Sequence, residues 1–132
     1  MPRILIVDDE DQLRAVLKEI LEIEGYEVAE AADGRAAMEA QRLQSFDLVI
    51  TDIIMPEMDG IETIMALRKD FPSVKIIAIS GGRRVGPGEF LNLAKTLGAH
   101  RILHKPFVLQ EMLDVVSELL GTKPSDKAVK TS

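Results

Sequence analysis

The sequence predicts an α/β fold, (βα)5, in which a doubly wound parallel sheet of five strands is covered by helices on both faces. Five short apolar runs alternate with longer segments whose apolar residues recur at helical spacing. Glycine-containing turn signals fall between these segments. Because crossovers between parallel strands are right-handed, this alternation folds as one doubly wound sheet. With 132 residues, 46% of them hydrophobic, the chain is long enough for one domain with its own core.

The five predicted strands are of two kinds. Residues 4–7, 48–50 and 74–79 are nearly continuous aliphatic runs, as expected of central strands that are buried on both faces. Residues 26–31 alternate between apolar and polar positions, and residues 102–103 form only a brief run. These two patterns are typical of strands at the edges of a sheet.

Five stripes of apolar residues at helical spacing predict the helices that follow these strands. In chain order, the stripes are formed by Leu13, Val16, Leu17, Ile20 and Leu21; by Ala36, Ala37, Ala40 and Leu43; by Ile61, Ile64 and Met65; by Phe90, Leu93, Ala94 and Leu97; and by Leu109, Met112, Leu113, Val116, Leu119 and Leu120. The stretch that follows, GTKPSDKAVKTS, is polar and aperiodic. We therefore expect a domain of residues 1–121 and a disordered tail of residues 122–132.

The composition argues against several classes of function. A net charge of −6, only 4% aromatic residues and the lack of a long basic run argue against direct binding to nucleic acid, which needs clustered Lys and Arg. The absence of cysteine removes disulfides, thiolate zinc sites and cysteine nucleophiles. The first apolar run ends at Asp8, too early for a signal peptide, and no segment approaches the roughly 20 apolar residues of a membrane span. We therefore expect a cytoplasmic protein without a membrane partner.

Polar residues follow or end four of the predicted strands. They are Asp8 and Asp9 after the first strand, Asp52 after the third, Ser80 after the fourth, and His104 and Lys105 after the fifth. Each alone has an ordinary explanation, such as a helix cap, a turn or a solvated surface lysine. In an open α/β sheet, however, ligands bind beyond the carboxyl ends of the strands. These side chains are therefore expected to share one crevice.

Three carboxylates in one crevice repel each other unless a cation joins them. Two such charges ~4 Å apart cost about 4 kcal/mol at an effective dielectric of 20. Oxygen ligands without histidine suit Mg²⁺, which keeps several waters and accepts a phosphate oxygen into its shell. Lys105 and Ser80 at the same rim would hold the other phosphate oxygens. Asp52 at the end of a rigid strand is then a candidate carboxylate nucleophile toward a phosphoryl donor.

Taken in order, the acid pair in ILIVDDE, Asp52 in DIIMPEMDG, Ser80 before a small residue, and Lys105 in KPF resemble the receiver domain of two-component response regulators. The resemblance extends over residues 3–120. It implies a flavodoxin-like sheet with strand order 2-1-3-4-5. It also implies a switch that accepts a phosphoryl group, with Mg²⁺, from a sensor histidine kinase or a histidine phosphotransfer protein and then controls a downstream protein. Such a switch is not a turnover enzyme, beyond self-catalysed phosphotransfer and slow autodephosphorylation.

The same resemblance implies a role for each acid. Asp52 would be the phosphoacceptor, modified to 4-aspartylphosphate, and would also contact the metal. Asp9 would bind Mg²⁺ directly, and Asp8 would assist through a water molecule. The backbone carbonyl of Ile54 would complete the protein ligands.

The phosphate-binding side of the site follows from the resemblance in the same way. Lys105 would pair with the phosphate, and Ser80 would bond to it in the active state. The chain must turn just after Lys105, as it does in receiver domains, so we expect a cis Lys105-Pro106 peptide. Ile102 departs from the family, which often has an inward-swinging aromatic residue there. Residues 81–88 form a longer loop than usual. Two interpretations of this loop are equally good: it is simply mobile, or it rearranges around Ser80 and offers arginines to a partner.

Three other functions share part of this pattern. A haloacid-dehalogenase-like phosphatase also attacks through an aspartate beside Mg²⁺, but it needs a second Asp two residues later, where this chain has Ile54. A nucleotide-binding enzyme would need a glycine-rich phosphate loop after the first strand, which is missing. A receiver that only binds partners would have lost an acid, Ser80 or Lys105, and none is lost.

His100 and His104 flank a predicted strand, where their spacing makes no helical metal face, so we expect structural roles for them. A single-domain regulator and a fragment of a longer protein are both compatible with this sequence. A homodimer is also compatible with it.

Overall fold

The structure is a computed structural model, and it describes residues 2–53, 60–80, 96 and 98–122. Within these residues five strands form one sheet: β1 (Arg3–Val7), β2 (Glu27–Ala31), β3 (Leu48–Asp52), β4 (Lys75–Ser80) and β5 (Arg101–His104). All neighbouring strands are parallel, and their order across the sheet is β2-β1-β3-β4-β5. The predicted flavodoxin-like sheet, with β2 and β5 at its edges, is confirmed.

The described helices are α1 (Asp11–Ile23), α2 (Gly34–Leu43), α3 (Gly60–Asp70) and α4 (Leu109–Leu120). They contain four of the five predicted apolar stripes, and the stripe of Phe90, Leu93, Ala94 and Leu97 lies outside the described residues. Helix α2 begins after Asp33, whose side chain accepts a hydrogen bond from the Ala36 amide at 2.8 Å. None of the described helices is both long enough and apolar enough to cross a bilayer.

The sheet divides the buried core into two layers because successive residues of a strand point to opposite faces. On one face, Leu5 of β1 belongs to a cluster that includes Leu67 of α3. On the other face, its neighbour Ile6 belongs to a cluster that includes Leu17 of α1 and Val116 of α4. Burial on both faces explains why the central strands are continuous apolar runs in the sequence.

The register of the sheet brings the carboxyl ends of the strands together. Val7 at the end of β1 lies beside Thr51, and Asp52 at the end of β3 lies beside Ile79. At the next pair, Ser80 lies beside His104. The residues that follow β1 and β5 therefore lie at the same edge of the sheet as Asp52.

The segment after α4 contacts Tyr26, which lies at the amino end of β2 and thus opposite to the carboxyl ends of the strands. The Tyr26 hydroxyl lies 2.7 Å from the Thr122 hydroxyl, and the Ser117 hydroxyl donates a hydrogen bond to the Thr122 carbonyl at 3.1 Å. Thr122, which the sequence analysis assigns to the tail, is therefore held against the domain. The remaining tail, residues 123–132, lies outside the described residues.

Candidate functional site

The acids that follow β1 and end β3 converge at one point. Asp8, Asp9 and Asp52, which we call the acid cluster, each present one carboxylate oxygen, and these oxygens all lie within 4.8 Å of one another. Asp8 and Asp52 are buried, whereas Asp9 is exposed. The predicted meeting of these three side chains is confirmed. It arises because parallel strands present their carboxyl ends at the same edge.

Lys105 brings a positive charge to the acid cluster. Its Nζ lies 3.1 Å from Asp52 Oδ2 and 3.3 Å from Asp8 Oδ2. The Lys105-Pro106 peptide bond is cis, as predicted. A third carboxylate oxygen, Glu10 Oε1, lies 3.4 Å from the same Nζ. The sequence analysis missed Glu10, whose only signal is its place directly after the acid pair.

Burial and neighbouring charges shift the pKa of both Asp8 and Lys105. Burial, with the negative charge of Asp52, raises the pKa of the Asp8 carboxyl, although a hydrogen bond from the Glu10 amide and the charge of Lys105 oppose the shift. Burial alone would lower the pKa of Lys105, but the charges of Asp52 and Asp8, with the hydrogen bond to Asp52, outweigh burial and raise it. Lys105 therefore stays protonated and offsets part of the repulsion within the cluster.

One oxygen of Asp8 indicates that the acid cluster suits a cation. Asp8 Oδ2 is buried and has no hydrogen-bond partner among the described residues, since the Lys105 ammonium faces it in a geometry that is not a hydrogen bond. A buried carboxylate oxygen in this state is costly unless positive charge lies close to it. The cluster offers only carboxylate oxygens, which are the donors that Mg²⁺ prefers. Ile54, whose carbonyl the sequence analysis adds to this set, lies outside the described residues.

Arg14 supports the acid cluster from helix α1. Its guanidinium donates hydrogen bonds to the backbone carbonyl of Asp8 and, at 3.0 Å, to the carboxylate of Glu30. These bonds join the first turn of α1 to the residue after β1 and to β2. The sequence analysis missed Arg14 because helical periodicity does not show which side chains reach a neighbouring strand.

Gly60 allows helix α3 to begin directly against the end of β3. Its amide donates a hydrogen bond to the Ile53 carbonyl at 2.7 Å. A side chain at this position would overlap the carbonyl oxygen of Asp52 and the backbone of Ile53. The glycine is therefore required by close backbone packing, whereas its place in the sequence indicated only a turn.

The other predicted features are only partly within the described residues. The backbone of Ser80 ends β4, but its side chain lies outside the described part of the chain, as do residues 81–88. His100 Nδ1 accepts a hydrogen bond from the Ile76 amide at 3.0 Å, which confirms the structural role predicted for His100. Ile102 is half-buried and packs against the core.

An open groove of about 810 Å³ lies away from the acid cluster. It is lined by residues before β3 and β4 and at the end of α4, including Phe46, Phe71 and Leu120. We place the candidate site at the acid cluster because the charged side chains converge there, whereas the size of a groove by itself shows no chemistry.

The sequence and the fold both resemble those of known proteins. Residues 4–117 match the response regulator receiver domain family. The response regulator receiver protein CpdR of Brucella abortus is 33% identical over 120 residues, which are 91% of this chain and 98% of that protein. Chemotaxis protein CheY of Thermotoga maritima is 38% identical over 118 residues, or 89% and 96% of the two chains. The solved structure of response regulator protein TrrA from Thermotoga maritima in complex with Mg(2+)-BeF has a TM-score of 0.80 at 35% identity, covering 90% of this chain and 99% of that one.

Proposed function

Because the chain belongs to the response regulator receiver domain family and is a phosphorylation-dependent signalling switch, we propose that Asp52 receives the phosphoryl group and becomes a 4-aspartylphosphate. The observation that carries this proposal is the position of the Asp52 carboxylate. Asp52 ends a fully buried strand, belongs to the acid cluster and lies 3.1 Å from the Lys105 ammonium. A rigidly held carboxylate beside positive charge is suited to attack on phosphorus.

The proposed transfer moves a phosphoryl group from nitrogen to oxygen. A carboxylate oxygen of Asp52 attacks the phosphorus of a phosphohistidine, and the bond between phosphorus and the imidazole nitrogen breaks, its electron pair leaving with the nitrogen. Lys105 faces the attacked group and offsets the charge of the phosphoryl oxygens. The Ser80 hydroxyl is proposed to bond to one of those oxygens once the phosphoryl group is in place.

We assign the metal-holding role to the acid cluster. Asp9 and Asp52 would hold Mg²⁺ directly, Asp8 would assist through water, and the Ile54 carbonyl would complete the protein ligands. When bound, Mg²⁺ would supply positive charge for the phosphoryl oxygens during transfer. The buried oxygen of Asp8 and the all-oxygen donor set support this assignment. The relative TrrA, crystallised in complex with Mg(2+)-BeF, supports it as well.

The proposed partners follow from the same chemistry. The phosphoryl donor is a sensor histidine kinase or a histidine phosphotransfer protein, and the phosphorylated form controls a downstream protein. We place this exchange in the cytoplasm, without direct contact to nucleic acid or membrane. Turnover is confined to self-catalysed phosphotransfer and slow autodephosphorylation, because the sequence has Ile54 where a phosphatase of the aspartate-nucleophile type has its general acid.

Phosphorylation with a small donor tests the assignment of Asp52. The protein is incubated with acetyl phosphate and Mg²⁺, and its intact mass is recorded. We expect one added phosphate, stable in acid and labile in base, as for an acyl phosphate. Asp52→Asn should lose the adduct because an amide cannot act as the nucleophile.

A matched control lies at the other end of the same strand. Asp47 immediately precedes β3, and its carboxylate accepts a hydrogen bond from the Arg3 amide at 2.8 Å. Asp47→Asn makes the same chemical change far from the acid cluster and should keep the adduct. An adduct that persists in Asp52→Asn would show that another residue is the phosphoacceptor.

A further inference from the structure

Among the residues that the structure describes, Lys105 contacts one carboxylate that lies outside the acid cluster. Glu10 Oε1 is 3.4 Å from Lys105 Nζ, the longest of the three carboxylate contacts of this ammonium. The Glu10 side chain is 58% exposed, compared with 1% for Asp8 and 8% for Asp52. Glu10 therefore reaches Lys105 from the solvent side, while the other two carboxylates reach it from the buried side.

The backbone holds Glu10 at this position from both directions. Its amide donates a hydrogen bond to Asp8 Oδ1 at 2.8 Å, and its carbonyl accepts one from the Arg14 amide at 3.1 Å. Glu10 occupies the position before α1, but its side chain makes no capping hydrogen bond. The carboxylate is therefore directed to Lys105 rather than to the end of the helix.

We propose that Glu10 is a positioning residue that restrains Lys105 and thereby slows phosphoryl transfer to Asp52. This inference rests on the function proposed above. Among the described residues, the Lys105 ammonium donates hydrogen bonds to Asp52 and Glu10 and forms an ion pair with Asp8. To bond to a phosphoryl oxygen on Asp52, the ammonium must move, and each of these contacts opposes that movement. The contact with Glu10 is the longest and the most exposed, so it is the one that yields.

The rate of adduct formation in Glu10→Gln tests this inference. The rate is measured by intact mass with acetyl phosphate at saturating Mg²⁺, over a range of donor concentrations. We expect the rate constant at saturating donor to rise by about two- to fivefold, the range set by the strength of an exposed ion pair. Glu10→Asp keeps the charge but shortens the reach, and it should also be faster than the parent. Denaturant unfolding of both variants should match the parent, since Glu10 is exposed.

Asp11→Asn separates this contact from a general effect of charge. Asp11 is adjacent to Glu10 and is also a carboxylate, but it pairs with Arg14 at 2.7 Å rather than with Lys105. Asp11→Asn should leave the rate constant at saturating donor at the parental value. Any effect should be confined to the donor concentration that gives half of the maximal rate. Equal acceleration in Asp11→Asn and Glu10→Gln would overturn the inference, and so would a parental rate in Glu10→Gln. A parent that forms no adduct at all would instead contradict the proposed function.

Discussion

At the scale of single residues, the site gathers more negative charge than its lysine can balance. Asp8, Asp52 and Glu10 lie around the ammonium of Lys105, and Asp9 adds a further negative charge to the acid cluster. Burial and the charge of Asp52 raise the pKa of Asp8, so the folded protein holds this proton more tightly than the unfolded chain. The contribution of Asp8 to stability is therefore full below its unfolded pKa and is lost as the pH rises through the folded pKa. At neutral pH without metal, the acid cluster strains the fold.

We expect Asp52→Asn to relieve this strain. Asn removes one negative charge at nearly constant shape, and Lys105 keeps its contacts with Asp8 and Glu10. In the presence of a chelator at neutral pH, the variant should be more stable than the parent by about 1 to 3 kcal/mol. Denaturant unfolding measures this difference.

The same titration with Mg²⁺ provides the control. Mg²⁺ binds the folded arrangement and should stabilise the parent by mass action, and it should stabilise Asp52→Asn less because one ligand has been weakened. If Asp52→Asn proves less stable than the parent in chelator, the three carboxylates do not repel one another as described here.

The residues of the acid cluster could be predicted from the sequence, whereas their supporting contacts could not. Asp8 and Asp52 stand at the ends of apolar runs, and the topology of a parallel sheet brings such positions together. Glu10 and Arg14 follow β1 in the sequence, and their long side chains extend back to contact Lys105 and Asp8. Hydrophobic periodicity does not predict such side-chain contacts, so only the structure shows them.

At the scale of secondary-structure elements, one histidine joins β4 to the turn before β5. The His100 amide donates to the Ile76 carbonyl at 2.8 Å, and His100 Nδ1 accepts from the Ile76 amide at 3.0 Å. Both polar backbone groups of Ile76 are thus satisfied by one residue. The second bond requires an unprotonated Nδ1, so His100 is neutral in this arrangement.

The stability of this junction should depend on pH. Burial, together with the positive charges of Lys75, Arg68 and Arg101, lowers the pKa of His100 in the folded protein. The unfolded chain then takes up this proton first as the solution is acidified. The contribution of His100 is full above the unfolded pKa of about 6.5 and is lost as the pH falls toward the folded pKa.

Denaturant unfolding between about pH 5 and 8 checks this prediction, in the range where histidine titrates. His100→Gln removes the titrating group, and its stability should fall less steeply with acidification than that of the parent. His104 is exposed, and His104→Gln makes the same chemical change outside this junction as a matched variant. If the free energy of unfolding depends on pH in the same way in His100→Gln and in the parent, the His100 proton is not linked to folding.

The extent of each strand was harder to predict than its existence. Strand β3 continues past the apolar run to Asp52 because Thr51 and Asp52 still pair with Ala78 and Ile79. Strand β5 likewise includes the charged Arg101, because pairing with a parallel neighbour depends on backbone hydrogen bonds rather than on hydrophobicity. Hydrophobic runs therefore locate strands but underestimate their length where a strand carries polar residues.

At the scale of the whole molecule, the domain is closed by contacts that join distant parts of the chain. Thr122, which lies after α4, contacts the hydroxyl of Tyr26, the residue directly before β2. Gly121 precedes it with a φ of +68°, a left-handed conformation that turns the chain after α4. The Thr122 amide also donates to the Ser117 carbonyl at 3.0 Å. The domain therefore extends to at least Thr122.

We expect residues 123–132 to add nothing to the stability of the domain. A variant that ends at Thr122 should unfold within about 0.5 kcal/mol of the parent. A variant that ends at Leu120 also loses the contacts of Thr122 and should be less stable by about 1 to 2 kcal/mol. Denaturant unfolding of the two truncated proteins measures both values. A large loss of stability on removing residues 123–132 alone would show that the tail packs on the domain.

The junction of Gly60 with the end of β3 has a mechanical consequence. Backbone touches backbone there, so no side chain can change rotamer to absorb a displacement. A shift of the Asp52 carbonyl would therefore press directly on the first turn of α3. Met65 lies on that helix and is half-exposed. A sub-ångström displacement at the carboxyl end of β3 would then be carried to the protein surface.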